Sequence, residues 1–151
     1  MSETQAKSEI RQLVEQYAYA LDVRDWDLLG RCFHPDAKYL LMDGAIVLNG
    51  PEAVVSTLSV VGGYKASQHS VANSHCVVQD GEATGKVHGT AVLYRAALSP
   101  GSVLVRGLRY EDRYVYYRDG WLFAARRHIP VWQYELPTLP PESLKIRPTA
   151  R

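Results

Sequence analysis

Residues 66–97 read ASQHSVANSHCVVQDGEATGKVHGTAVLYRAA. Two extended runs, 66–78 and 83–97, flank Asp80-Gly81, the kind of pair that closes a tight hairpin. Further runs at 103–117 and 121–133 follow, with Ser99-Pro100-Gly101-Ser102 and Asp119-Gly120 as the intervening turns. Three hairpin turns in succession predict a four-stranded antiparallel meander. Strands this long must twist and curl. Pro130 marks a bulge or an edge near the end of the last run.

Working back from the meander, the chain turns helical. Ile10, Leu13, Val14, Tyr17 and Leu21 recur at helical spacing and form one apolar stripe, while residues 1–5 are polar and expected to fray. Asp25 reads as the N-cap of a short second helix carrying Trp26, Leu28, Leu29 and Phe33, with Asp27 in its first turn. His34-Pro35-Asp36 is expected to end it. Two short extended runs, 37–42 and 45–48, flank Asp43-Gly44 as an early hairpin added to the meander. Pro51 sits at the first position of a third helix, about 51–60, stopped by Gly62-Gly63. The class is therefore α+β, with three N-terminal helices packed on one face of a bent sheet. The tail from Pro137 to Arg151 is expected to be a loop or a strap over a neighbour.

Bulk composition narrows the function. A chain of 151 residues fits one domain, 1–151, and 46% hydrophobic with 22% charged residues is ordinary for a globular protein. The net charge of +1 gives no footprint for nucleic acid or an anionic membrane. No apolar run approaches the ~20 residues of a membrane span. Cys32 and Cys76, with no signal peptide, are expected as free thiols in the cytoplasm.

Asp22 carries the chemistry. Asp25 and Asp27 have structural explanations, but Asp22 lies in the last turn of the first helix, where the helix dipole disfavours a carboxylate. It also flanks the apolar stripe, about 100° on from Leu21. A carboxylate buried there needs a partner. An ion pair to Arg24, Arg31 or an arginine of the sheet would supply one, and so would a histidine. Of the five histidines, His34 is expected in an exposed loop, and His69, His75, His88 and His128 fall on strands. Counting alternately, His69, Val71, Asn73 and His75 share a face. No metal-ligand spacing, glycine-rich phosphate loop or nucleophile elbow is present. What remains is acid–base work by a carboxylate and an imidazole, which needs no cofactor and no metal. Tyr17, about 140° round the helix from Asp22, offers either a hydroxyl for that work or a core ring.

The order of Tyr17-Ala-Tyr-Ala-Leu-Asp22, Asp25-Trp-Asp27, Phe33-His-Pro-Asp-Ala37, Gly50-Pro-Glu52 and Gln68-His69-Ser70 resembles the SnoaL-like branch of the nuclear transport factor 2-like superfamily, over about residues 8–133. The resemblance implies a cone, a curled and mostly antiparallel sheet wrapped by helices, with the pocket inside. It implies that Asp22 and His69 correspond to the Asp–His dyad of scytalone dehydratase, bile-acid 7α-dehydratase and hexachlorocyclohexane dehydrochlorinase. Tyr17 falls where the bile-acid enzyme has a catalytic tyrosine. Tyr94 falls where scytalone dehydratase has a second active-site histidine, a departure in this chain. His128 falls among the pocket positions of such enzymes, and Trp26 joins Tyr94 and His128 as an expected substrate contact.

The expectation is a cofactor-independent lyase acting on a small hydrophobic cyclic substrate, with His69 as base, Asp22 orienting it and Tyr17 donating a hydrogen bond. The alternatives are an isomerase or cyclase using the same dyad, and a non-catalytic binding or structural subunit. The resemblance also implies a homo-oligomer, trimer or dimer.

Overall fold

The apolar stripe near the N-terminus produces helix α1 (Glu3–Val23), which buries Ile10, Leu13, Val14, Tyr17 and Leu21 together with three alanines on the same side. It starts earlier than its polar beginning suggests. Ser2 caps it by accepting from the Gln5 N–H, and Glu3 pairs with Lys7 one turn on, so the first residues are helical rather than frayed. It ends at Arg24, whose left-handed backbone (φ 59°) lets its N–H return to the carbonyl of Ala20. A computed structural model describes residues 1–96 and 101–138 of the chain.

Asp25 caps α2 (Trp26–Arg31), accepting from the Leu28 N–H. The chain then goes straight into strand β1 (Phe33–Leu41). His34-Pro35-Asp36, expected as a loop, thus opens a strand, in a stretch where the register with the neighbouring strand is irregular and no ladder bond is asked of Pro35. Strand β2 (Ile46–Asn49) returns antiparallel through a turn in which Met42, Asp43 and Gly44 all have positive φ. Helix α3 (Gly50–Leu58) carries Pro51 in its first turn and runs into a 3-10 turn (Ser59–Gly63).

Four long strands follow: β3 (Ala66–Gln79), β4 (Glu82–Arg95), β5 (Ser102–Tyr117) and β6 (Gly120–Pro137). They form the expected meander. The expected turn at Ser99–Ser102 and the tail beyond Thr138 lie partly or wholly outside the described residues. The early hairpin is no separate addition. β1 pairs in parallel with β6, giving one six-stranded sheet in the order β2-β1-β6-β5-β4-β3.

Bulges set which side chains face inward. One extra residue in β3 between Val71 and Ser74 reverses the alternation beyond it. His69 therefore faces the interior while His75, expected on the same face, points outward opposite Lys86. A second bulge in β6, between Phe123 and Ala125, turns both Phe123 and Arg126 inward. A third, beside Pro130, bears out the irregularity read from that proline.

The bulge in β6 places a charge at the centre of the cone. Arg126 is fully buried, pairs through two nitrogens with the Asp112 carboxylate at 2.9 and 3.0 Å, and lies over the rings of Tyr17, Tyr110 and Phe123. The Tyr114 hydroxyl donates to the same carboxylate at 2.8 Å. Around this group pack Phe33, Tyr39 and Phe123 in edge-on and tilted contacts. Taking away one partner of a buried ion pair leaves the other charge unpaired, at a cost of about 3–5 kcal/mol. Asp112→Ala is therefore expected to lower the unfolding free energy by about that much in urea titration. A loss below about 1 kcal/mol would show that the pair is not holding the core.

Candidate functional site

The last turn of α1 brings Asp22 against the free edge of β3. One carboxylate oxygen accepts from the His69 backbone N–H at 2.6 Å, and the other lies 2.7 Å from His69 Nδ1. A carboxylate only accepts, so Nδ1 carries a proton, and in the neutral ring the lone pair is on Nε2. Burial works to raise the Asp22 carboxyl. The hydrogen bonds from the His69 ring and backbone outweigh it and hold the group below its ordinary value. Among the described residues no arginine pairs with the Asp22 carboxylate. Arg24 spends its guanidinium on the carbonyls of Asp22 and Tyr64.

His69 opens onto two adjoining hollows inside the cone. One, of about 170 Å³, lies between the sheet and the segment around α3, with Leu21, Leu58, Val61, Ala91, Leu93 and Leu108 among its apolar walls. Its polar groups are His69, Tyr17, Tyr39, Tyr64, Thr57, Tyr110, Arg106 and His128. The other holds about 10 Å³, near the space one water needs, and Tyr17, His69, Tyr110 and Arg126 border it. Arg126 Nη1 is buried with no partner among the described residues.

Tyr17 faces this space from α1. Its hydroxyl is 2.9 Å from that of Tyr39, and the two phenols share one hydrogen bond. One O–H serves the pair and the other stays free to donate. Burial, with Tyr39 alongside, pushes Tyr17 well above the usual phenol value, so it is a donor and not a phenolate. His128 lies beyond Tyr110 on β6, 7% exposed, its ring 5.7 Å from the tyrosine ring. Burial, with Arg106 and Arg126 close by, holds it neutral down to about pH 4.

Asp22, His69, Tyr17 and His128 are thus brought together. Tyr94 and Trp26 are not. Tyr94 has the outward parity of β4, where Ala91 and Leu93 take the inward positions beside the cavity. Trp26 is partly buried at the start of α2 and packs toward Gly62, away from the cavity walls. His88 also points outward, and His34 packs edge-on against Tyr117 instead of standing free in a loop. Sequence reasoning missed Tyr39, Arg106 and Arg126. Tyr39 gives no signal beyond an alternating strand pattern. Among the described residues no three His, Cys, Asp or Glu side chains gather as a metal site, and both cysteines are free thiols.

A curled sheet closed by helices, with a carboxylate–imidazole pair opening on an internal cavity, defines a class of small cone-shaped proteins. The chain belongs to the SnoaL-like domain family, whose pattern matches residues 2–127. Uncharacterised proteins of Mycobacterium bovis and Mycobacterium tuberculosis are 30% identical to it over 131 residues, 83% of this chain and 86% of theirs. Among solved structures, a Kribbella flavida protein superposes with a TM-score of 0.80 at 18% identity, covering 88% of this chain and 95% of that one. A type 2 hexachlorocyclohexane dehydrochlorinase gives 0.79 at 16% identity, covering 91% and 95%. A Novosphingobium aromaticivorans protein provisionally assigned as a scytalone dehydratase gives 0.75 at 19% identity, covering 88% and 89%. At these identities the structures share the fold. No helix among the described residues is long and apolar enough to cross a membrane.

The neutral His128 predicts an acid sensitivity. In the unfolded chain a histidine takes up a proton below about pH 6.5, whereas the folded one resists until about 4. The unfolded state then binds more protons, so stability present above pH 6.5 drains away as pH falls towards 4, by about 3 kcal/mol in total. Urea midpoints taken from pH 7 to pH 4.5 should fall less steeply in His128→Gln. Parallel curves for the two proteins would show that His128 is not held neutral.

Proposed function

We propose that the protein is a cofactor-independent lyase that abstracts a carbon-bound proton from a small ring and expels a leaving group such as water. His69 is the general base through Nε2. Asp22 holds the ring in the Nδ1–H tautomer and stabilises the imidazolium that forms. The free O–H of the Tyr17–Tyr39 pair donates to an enolate oxygen or to the leaving hydroxyl. The observation that carries this reading is the 2.7 Å contact between Asp22 and His69 Nδ1, which assigns the lone pair of the neutral ring to the other nitrogen, beside a largely apolar cavity. Arg126 supports it. Its unpartnered Nη1 borders the small hollow next to His69, where it would favour negative charge developing on the substrate. The dehydrochlorinase and dehydratase descriptions of two structural neighbours fit the same class of elimination.

A second reading keeps the dyad and returns the proton elsewhere on the substrate, as an isomerase or cyclase does. It is favoured by the enclosure of the site, since a proton held on Nε2 away from bulk water can be handed back. Product mass separates the two, because elimination of water loses its mass and isomerisation loses nothing. With a turned-over ring substrate, His69→Ala should cut kcat by roughly 100- to 10,000-fold. The circular dichroism spectrum should be unchanged. Turnover of that variant within a few-fold of wild type would remove His69 as the base.

A further inference from the structure

We infer that the substrate carries a carboxylate, which the Arg106 guanidinium holds at the rim of the 170 Å³ cavity with His128 as a second contact. This rests on the reading of the cavity as a substrate site. Three observations support it.

The first is charge. Arg106 on β5 points into the cavity wall, its Nε donates to Gln133 Oε1 at 3.0 Å, and no carboxylate among the described residues pairs with it. Its two terminal nitrogens remain available, in the fork geometry that matches a carboxylate.

The second is the balance of the whole interior. Arg106, Arg126, His69 and His128 border the two hollows, and the carboxylates that answer them are already engaged, Asp22 by His69 and Asp112 by Arg126. Asp22 and Asp112 offset the two arginines in total charge, so the attraction for an anion is local: Arg106 is the guanidinium bordering the hollows that no carboxylate among the described residues pairs with.

The third is an orphan. His128 Nδ1 is buried without a hydrogen-bond partner, and its residue is 7% exposed on the wall of the same cavity. A buried polar atom left unpaired is costly, and a ligand oxygen that meets the ring removes that cost. Protonated at one nitrogen and neutral overall, the ring can donate to an oxygen without adding charge. Apart from His69 and the hydroxyls of Thr57, Tyr17, Tyr39, Tyr64 and Tyr110, the remaining walls are apolar, so the ligand is a small, largely apolar ring with one acid group.

Calorimetric titration with cyclohexanecarboxylate and its neutral counterpart cyclohexanecarboxamide tests this. In the wild-type protein the acid should bind about tenfold or more tightly than the amide. In Arg106→Gln the preference should fall to near unity while amide affinity, which reports an intact cavity, stays within about twofold. His69→Ala should keep the preference while losing any turnover. Equal affinity for the two probes, no binding of either at millimolar concentration, or a preference that survives Arg106→Gln would overturn the inference. A carboxylate preference without dependence of turnover on His69 would sink the lyase reading and leave this one standing. Turnover of neutral rings with no acid preference would do the reverse.

Discussion

Asp22 gives one carboxylate oxygen to the backbone N–H of His69 and the other to its ring, and this tie fastens the end of α1 to the open edge of the sheet. β3 is the edge strand, so its outward N–H and C=O groups have no neighbouring strand. Helix α1 covers them. Arg11 donates to the carbonyls of Val71 and Ala72 at the bulge, two and three residues along β3 from His69. The helix thereby satisfies the edge at two places beside the cavity. The proposed catalytic arrangement and the tie between α1 and β3 involve the same carboxylate.

The ionisable groups inside are kept apart by their partners. Arg126 remains charged because, against the effect of burial, Asp112 together with Tyr17, Tyr110 and Tyr114 holds it above its ordinary value, and it is locked between three rings. Tyr17 and Tyr39 remain phenols because burial disfavours their anions. His128 remains neutral. Only His69 combines a carboxylate on one nitrogen with a free second nitrogen facing the hollow. Several titratable side chains share the space, and the proposed chemistry assigns the base to His69.

The fold was largely legible in the chain. Turn chemistry at Asp80-Gly81 and Asp119-Gly120 placed the long strands to within a few residues, and the stripe from Ile10 to Leu21 gave the first helix. The parallel pairing of β1 with β6 was not, because an antiparallel hairpin signal says nothing about which strand its outer edge meets. In the site, Asp22 stood out because the helix dipole gives a carboxylate no reason to be there. The alternation of strands misled wherever a bulge intervened. Counting from Phe123 puts Arg127 inward, yet the extra residue after it turns Arg126 in, as the bulge in β3 turns His75 out. Glu111-Asp112 and Arg126-Arg127 are adjacent like-charged pairs, and only the register shows which member of each pair is buried. Tyr94 followed from resemblance alone, and the cavity draws on Ala91, Leu93 and Arg106 in that region.

The proposed chemistry turns on which nitrogen of His69 bears the proton. Long-range nitrogen–proton correlation NMR on the labelled protein at pH 7.5 reads it directly. The account predicts an Nδ1–H tautomer with a strongly downfield ring proton that disappears in Asp22→Ala. A ring protonated at Nε2, with Nδ1 bare and a spectrum indifferent to Asp22, would contradict it.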